Sequence, residues 1–230
     1  MSNGNYEEAF WQSYAENHFW RLNDKTKVKP NSIYYDPIFN PLLPRDKSIQ
    51  ILDVGCGGGH FLYYLIRNGY SNIEGIDIAP GLVEFVQKEI CPNVHEQEAL
   101  AHLKANPNRY DVIVANDFIE HLQKKTIIEF LFLSRSAIKP KGMLILKTPN
   151  MSHLFASRSR YVDFTHEVGF TEHSLYEVCS AAGFDKVEIH SEYHGVEEPR
   201  FCKIVRKVYF WTRMTPPRIL SPNLIAVCLK

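Results

Sequence analysis

Between residues 49 and 149 short apolar runs alternate with segments of helical period, and this alternation restricts the chain more than any other feature. "IQILDV" (49–54), "NIEGIDI" (72–78), "NVHEQ" (93–97), "YDVIVAND" (110–117) and "MLILKTP" (143–149) read as strands. "GHFLYYLIRNGY", "PGLVEFVQKEI" and "KKTIIEFLFLSRSAI" carry apolar residues at helical spacing, and Gly69 stops the first of them. Strands in alternation with helices need right-handed crossovers, so a doubly wound α/β fold with a mostly parallel sheet is predicted. A length of 230 residues, 45% apolar and 23% charged, suits one such domain with appendages.

The segments around this frame differ in character. "NYEEAFWQSYAENHFWRL" (5–22) predicts an aromatic-rich helix, and "KTKVKPNSIYYDPIFNPLLPRDKS" (25–48), with four prolines, an irregular connection outside the core. Residues 1–48 are therefore read as a helical cap and connection, and 49–230 as the domain. Residues 149–170 have the length of a lid or binding loop. "TEHSLYEVCSAAGF" (171–184) is a helix that Thr171 caps, "KVEIHSEY" (186–193) a sixth strand, and "NLIAVCLK" (223–230) a terminal one. A basic, aromatic insertion spans 195–221.

Composition sets some limits. No apolar run approaches membrane-spanning length, and "MSNGNYEEAF" lacks a signal-peptide layout, so a cytoplasmic protein is expected. Five scattered cysteines without CxxC spacing indicate neither a disulfide framework nor a zinc site, and no metal is expected. The zero net charge conceals an asymmetry. After Glu198 the chain has no acid, whereas Arg200, Lys203, Arg206, Lys207, Arg213, Arg218 and Lys230 are basic. An anionic partner near the C-terminus would suit this stretch, as would a solvated helix face.

The loop "LDVGCGGGHF" follows the first strand, where bare glycine backbone lets a ligand approach closely. A dinucleotide would need G-x-G-x-x-G. Beginning at Gly55 that pattern meets His60, and beginning at Gly57 it meets Leu62, so neither register fits. D-x-G-x-G-x-G does fit, with Asp53, Gly55, Gly57 and Gly59 enclosing Cys56. A carboxylate beside such a loop suits a ligand with a cationic amine at one end and adenosine at the other. A second acid, Asp77, closes strand two 24 residues later, where it can accept ribose hydroxyls.

"LDVGCGGG" resembles the first motif of class I S-adenosylmethionine (SAM) dependent methyltransferases, and the likeness runs from about Ile49 to Phe184 with a matching final strand. It implies a Rossmann-like sheet of seven strands with an antiparallel C-terminal strand, an N-terminal helical appendage, and SAM as cofactor. It further implies that Asp77 holds the ribose, that Ile78 packs on adenine, and that Glu98-Ala99 lie near the adenine amine. Asn116 and Asp117 in "ANDFIEHL" would flank the methionine part, with Glu120-His121 opening the next turn. In such enzymes an appended N-terminal segment often helps to form the acceptor pocket, which nominates Tyr14 and Trp20.

Methyl transfer needs an aligned acceptor, a dry site and, for a weakly acidic hydroxyl, a base. "RYVDFTHEVGFT" offers Arg160 and Tyr161 as substrate ligands, His166 as general base and Asp163 as its orienting partner, with His121 as a further catalytic candidate. A looser resemblance of "DFTHEVGFTEHSLYEVCSAAGF" and "SPNLIAVCLK" to O-antigen and surface-polysaccharide methyltransferases implies O-methylation of a sugar hydroxyl on a lipid- or nucleotide-linked glycan. Residues 200–213 would then touch an anionic membrane from its inner face, without nucleic acid as a partner. A small-molecule or quinone-type phenolic acceptor is the alternative, and a SAM-binding regulator without turnover is the alternative of another class.

Overall fold

In a computed structural model, which describes residues 9, 10, 13, 28, 32–193, 200–211 and 215–230, the alternating segments become one mixed sheet. The strands are β1 (Ile51–Val54), β2 (Ile73–Asp77), β3 (Val94–Glu96), β4 (Tyr110–Asn116), β5 (Ile138–Pro149), β6 (Lys186–Ser191) and β7 (Asn223–Leu229). Their order is β3-β2-β1-β4-β5-β7-β6. β1 to β5 run parallel, whereas β7 lies antiparallel between β5 and β6. The doubly wound seven-stranded sheet expected from the sequence is the one observed.

Eight helices are described: α1 (Asp36–Phe39), α2 (His60–Arg67), α3 (Pro80–Glu89), α4 (Ala99–Ala105), α5 (Lys124–Ala137), α6 (Ala156–Tyr161), α7 (Glu172–Ala181) and α8 (Arg200–Trp211). Thr171 caps α7 through a reciprocal capping box with Ser174. α4 was not foreseen. Its helix-forming run "ALAHLKA" follows Glu98, whose carboxylate accepts from Leu100 N at 2.9 Å and Ala101 N at 2.7 Å and so caps the helix.

The two-residue period of the strands divides the core between the faces of the sheet. Leu52, Ile76, Ile113 and Leu146 pack on one side with α4, α5 and α7. Ile51, Ile73, Val112, Val114 and Ile145 pack on the other with α2 and α3. The proline-rich connection, expected to lie outside the core, contributes Ile38, Phe39 and Leu43 to this second cluster, all buried. Phe39 meets Phe61 of α2 with ring centroids 4.6 Å apart. Its prolines start the short α1 and turn the chain without removing it from the core.

The first loop depends on left-handed backbone. Gly59, at φ 74°, caps α2, and a Cβ there would stand 2.9 Å from both Val86 of α3 and Ile90, which caps the end of α3. Gly59→Ala should therefore lower the unfolding free energy by about 2 kcal/mol through strain and overpacking together. Urea unfolding at equilibrium checks this, and an unchanged midpoint would refute it.

Candidate active site

Because side chains alternate, Asp53, Asp77, Asn116 and Lys147 all belong to the sheet face that carries Ile51, Ile73, Val112 and Ile145. Asp53 pairs with Val114, two residues beyond Ile51↔Val112, and Asn116 lies opposite Lys147. Along these strands the apolar row thus ends in polar groups at the carboxyl edge, where ligands of parallel sheets bind.

Asp53 is 2% exposed, and its Oδ2 has no hydrogen-bond partner among the described residues. Burial, and then the neighbouring charge of Asp77, hold its carboxyl well above the usual carboxylate range. Asp77 accepts from Gly57 N at 2.8 Å and Ala79 N at 2.9 Å, which fastens the glycine loop to the tip of β2. Burial raises its pKa too, against those backbone donors. Asn116 keeps both amide atoms buried and unpartnered among the described residues. Gly55 and Gly57 take φ 68° and 49°, and a Cβ on Gly55 would stand 2.6 Å from Phe118. Ile78 is 62% exposed beside the loop, and Cys56 and Ala99 are buried.

A positively charged ligand with its own donors and acceptors fits this set. Unpartnered carboxylate and amide atoms next to open backbone are what such a molecule would complete, and SAM has that character.

Several neighbouring side chains were not foreseen. Lys147 is buried and ion-pairs with Asp117, whose φ of 48° turns the chain sharply after β4. Tyr35 is driven up in pKa by burial and then by the charges of Asp117 and Asp53, so residues from the proline-rich connection roof this face. Tyr34 donates to Glu192 at 2.8 Å, with Lys147 Nζ 5.8 Å from its ring centre. A lysine inside "MLILKTP" was the available signal, since a buried ammonium needs a partner.

On the other side of the β4 and β5 tips lies a second group. Glu120, in the 3-10 turn Ile119–His121, accepts through Oε2 from Thr148 Oγ1 at 2.9 Å. Its backbone carbonyl accepts from Glu167 N at 2.8 Å and Val168 N at 3.0 Å, anchoring the lid. The lid ends are also joined where Met151 N donates to Phe170 O at 2.7 Å.

Asp163, expected to orient His166, is bonded to Thr165. Asp163 Oδ1 accepts from Thr165 N at 2.8 Å and Thr165 Oγ1 at 2.6 Å. The same Thr165 hydroxyl lies 2.7 Å from His121 Nδ1. A hydroxyl has one proton, and here the carboxylate receives it, so Nδ1 of His121 is the donor and Nε2 carries the lone pair. Asp163 thereby orients His121. His166 Nδ1 lies 2.9 Å from Ser159 O, a carbonyl that can only accept, so its Nε2 is also the basic nitrogen. The two rings meet edge to face at 4.8 Å, and burial, followed by His166, lowers the pKa of His121.

Arg160, expected on substrate, donates to His166 O and Glu167 O within the lid. Tyr161 is exposed, as are Leu154, Phe155, Val162 and Phe164. Tyr14 and Trp20 lie outside the described residues. Phe10 is described, and its ring centre is 5.9 Å from that of Phe164 on the lid. Arg206, expected at phosphates, donates to Pro217 O and Arg218 O, while Arg218 pairs with Glu172 and Lys230 donates to Asn108 Oδ1. Sequence could not separate these internal uses of positive charge from a free patch. Arg213 lies outside the described residues.

Sheet order, glycine loop and paired acids together are those of the SAM-dependent methyltransferase class. A family model described as a methyltransferase domain matches residues 32–189, and the chain belongs to that family. It is 32% identical over 111 residues to a malonyl-[acyl-carrier protein] O-methyltransferase of Halalkalibacterium halodurans, a match covering 45% of this chain and 40% of the relative. It is 30% identical over 132 residues to a ubiquinone biosynthesis O-methyltransferase of Hydrogenovibrio crunogenus, covering 55% of this chain and 52% of the relative. The matches thus span about half the length of these relatives or less. A SAM-dependent methyltransferase from Archaeoglobus fulgidus superposes with a TM-score of 0.66 at 22% identity, over 88% of this chain and 93% of that one.

Two predictions follow from the buried charges. Asp53→Asn removes a buried ionisable carboxyl with an unpartnered oxygen beside Asp77, so it should raise the Tm of ligand-free protein by about 2–4 °C, the shift that about 1 kcal/mol gives at this size. It should also weaken SAM binding by about 2 kcal/mol, roughly thirty-fold, the worth of a hydrogen bond to a charged group. Thermal scans and calorimetry read the two effects, and a loss of both stability and affinity would contradict the assignment.

The Glu120 carboxyl is pushed up to about 8 by burial and then by Asp117, against an ordinary value of 4.5. The folded state therefore holds this proton more tightly than the unfolded chain. The stability so gained is complete below the unfolded value and is lost as pH rises through about 8. Chelator-treated, ligand-free protein should melt higher at about pH 7 than at about pH 9, and Glu120→Gln should flatten that difference.

Proposed function

We propose that this chain is an O-methyltransferase that moves the methyl group of SAM onto the hydroxyl of a small-molecule acceptor of phenolic or quinone type. The observation that carries the acceptor class is the lid. Leu154, Phe155, Tyr161, Val162 and Phe164 are exposed on the segment that also holds His166, and such side chains suit an aromatic acceptor. The ubiquinone biosynthesis relative has a name of the same chemical kind. Neither curated relative described above is named as a glycan enzyme, so the sugar-hydroxyl expectation has no support from them.

When bound, SAM supplies a methyl group on a leaving group that is already activated. In this reading Asp53 offsets the ligand's amine, Asp77 receives the ribose hydroxyls, Ile78 lies on the adenine, and the Asn116 amide meets the amino acid part. The Asp117–Lys147 pair holds the β4 tip in place between the two halves of the site. His121 and His166, each with Nδ1 committed elsewhere, direct Nε2 lone pairs to the place where an acceptor hydroxyl is activated. The lid excludes water.

No helix among the described residues is long and apolar enough to cross a membrane. Contact with an anionic membrane surface remains part of the proposal, on the chemistry of α8. That helix buries Cys202 and Val205, exposes Ile204, Val208, Phe210 and Trp211, and carries Lys203 and Lys207 on exposed positions. Sedimentation with phosphatidylglycerol vesicles at low salt should carry the protein down, and Phe210→Ser with Trp211→Ser should release it.

Labelled SAM with panels of catechol, hydroxyquinol and glycan acceptors tests the main reading. Product should form with the phenolic panel. His166→Ala should lower kcat about 100-fold, the scale of general acid–base assistance, with the SAM Kd unchanged. Label transfer to glycans alone would overturn the acceptor class, and binding without product on any acceptor would favour a regulator.

A further inference from the structure

One ligand atom from each of Glu120, His121 and His166 lies within 4.8 Å of the others. Glu120 is 2% exposed, and its Oε1 has no hydrogen-bond partner among the described residues. Thr148 occupies the other carboxylate oxygen. Both imidazoles have Nδ1 tied to groups that require it to be the protonated nitrogen, Thr165 for His121 and Ser159 O for His166. The atoms left over are therefore two Nε2 lone pairs and one carboxylate oxygen.

We infer that Glu120, His121 and His166 form a binding site for a divalent transition-row cation, open on the side where the methyl acceptor enters. Two imidazole nitrogens and one carboxylate oxygen suit zinc, iron, cobalt or manganese better than magnesium or calcium, which take oxygen almost throughout. The surroundings are those of ligating histidines. A metal-bound imidazole gives its other N–H to a carboxylate, a carbonyl or a similar acceptor, which fixes ring and tautomer. Here the Asp163–Thr165 hydroxyl relay does this for His121 and a main-chain carbonyl does it for His166. A packing role would explain the half-buried rings, but it leaves one oxygen of a deeply buried carboxyl without a partner among the described residues.

Ligand atoms about 2.0–2.2 Å from one ion stand about 3–3.5 Å apart, so the cluster must draw in by about 1–2 Å on loading. Glu120 and His121 sit on the 3-10 turn, which is continuous with the strand tip, whereas His166 belongs to the lid. Cation binding thus couples lid position to the acceptor site.

The chemical consequence rests on the proposed methyl transfer to a hydroxyl. An acceptor hydroxyl at an open coordination position would become more acidic and lose its proton to solvent before the lid closes, so that the cation takes over the activating role that the two Nε2 lone pairs have in the unloaded site. Its oxygen lone pair then forms the new C–O bond as the C–S bond breaks, and that electron pair stays on sulfur as a neutral thioether.

The test uses the full chain, stripped with EDTA, dialysed and titrated with zinc and, separately, manganese in a calorimeter. One ion per chain is expected. His166→Ala and Glu120→Gln should each weaken binding by roughly 100-fold or more, and Thr165→Val, which removes an outer partner, by roughly 10-fold. His173→Ala, on an exposed helical pair with Glu177, should bind as the wild type does. SAM calorimetry on every variant shows that the fold is intact. No uptake by wild type, or equal uptake by wild type and His166→Ala, would overturn the inference and leave the methyltransferase reading standing. Normal uptake without methyl transfer to any hydroxyl would instead sink that reading and keep the site.

Discussion

A carboxyl group taken out of water with one oxygen unpartnered is costly to ionise, and the fold holds Asp53 in that state, its pKa pushed up by burial. Its strand is buried along its length, and the next acid, Asp77, adds repulsion in place of relief. Nothing in the folding of the sheet requires an acid there, since Ile51 on the same face is an ordinary core residue. In the proposed function the acid is kept there for the amine of the ligand, which would favour its charged form. Loop, strand tips and roof all follow from that choice. The glycines leave backbone open beside the acid, Asp77 secures the loop through Gly57 N, and Tyr35 from the connection before β1 packs near Asp53 and Asp117.

The two halves of the site lie on opposite sides of the same strand ends because alternate residues on a strand point opposite ways. Lys147 faces the Asp53 side and anchors Asp117, and its neighbour Thr148 faces the other side and holds Glu120. Consecutive residues of β5 therefore register the half proposed for the cofactor against the half proposed for the acceptor. A shift of that strand by one residue would exchange the two contacts.

Much of the cofactor half could be read before any coordinates, because strand tips and glycine runs are local signals. Asp53, Gly55, Gly57, Gly59 and Asp77 needed only the end of a strand to be recognised. The acceptor half was less legible. Asp163 and His166 are close in sequence, which suggested a pair, yet Asp163 serves His121 through Thr165, a contact set by the fold of the lid. Arg160 and Arg206 looked like ligand-binding cations and instead bind carbonyls of their own chain, an outcome invisible to composition. Residues 36–43 were misplaced because proline density marks turns and says nothing about burial. Glu98 was read through the family resemblance alone, which concealed its simpler task as a helix cap.

The lid is hemmed at both ends. Met151 is bonded to Phe170, and Glu167 and Val168 are bonded to the 3-10 turn, so the intervening chain leaves and re-enters the scaffold at fixed points. Such a closed loop behaves as an exchangeable cassette. Its interior could vary in length and side chains over generations without disturbing the sheet or the glycine loop, because neither takes its shape from the loop's tip. Diversification of acceptors within this architecture would then need no new fold, only a rewritten stretch between two fixed stitches.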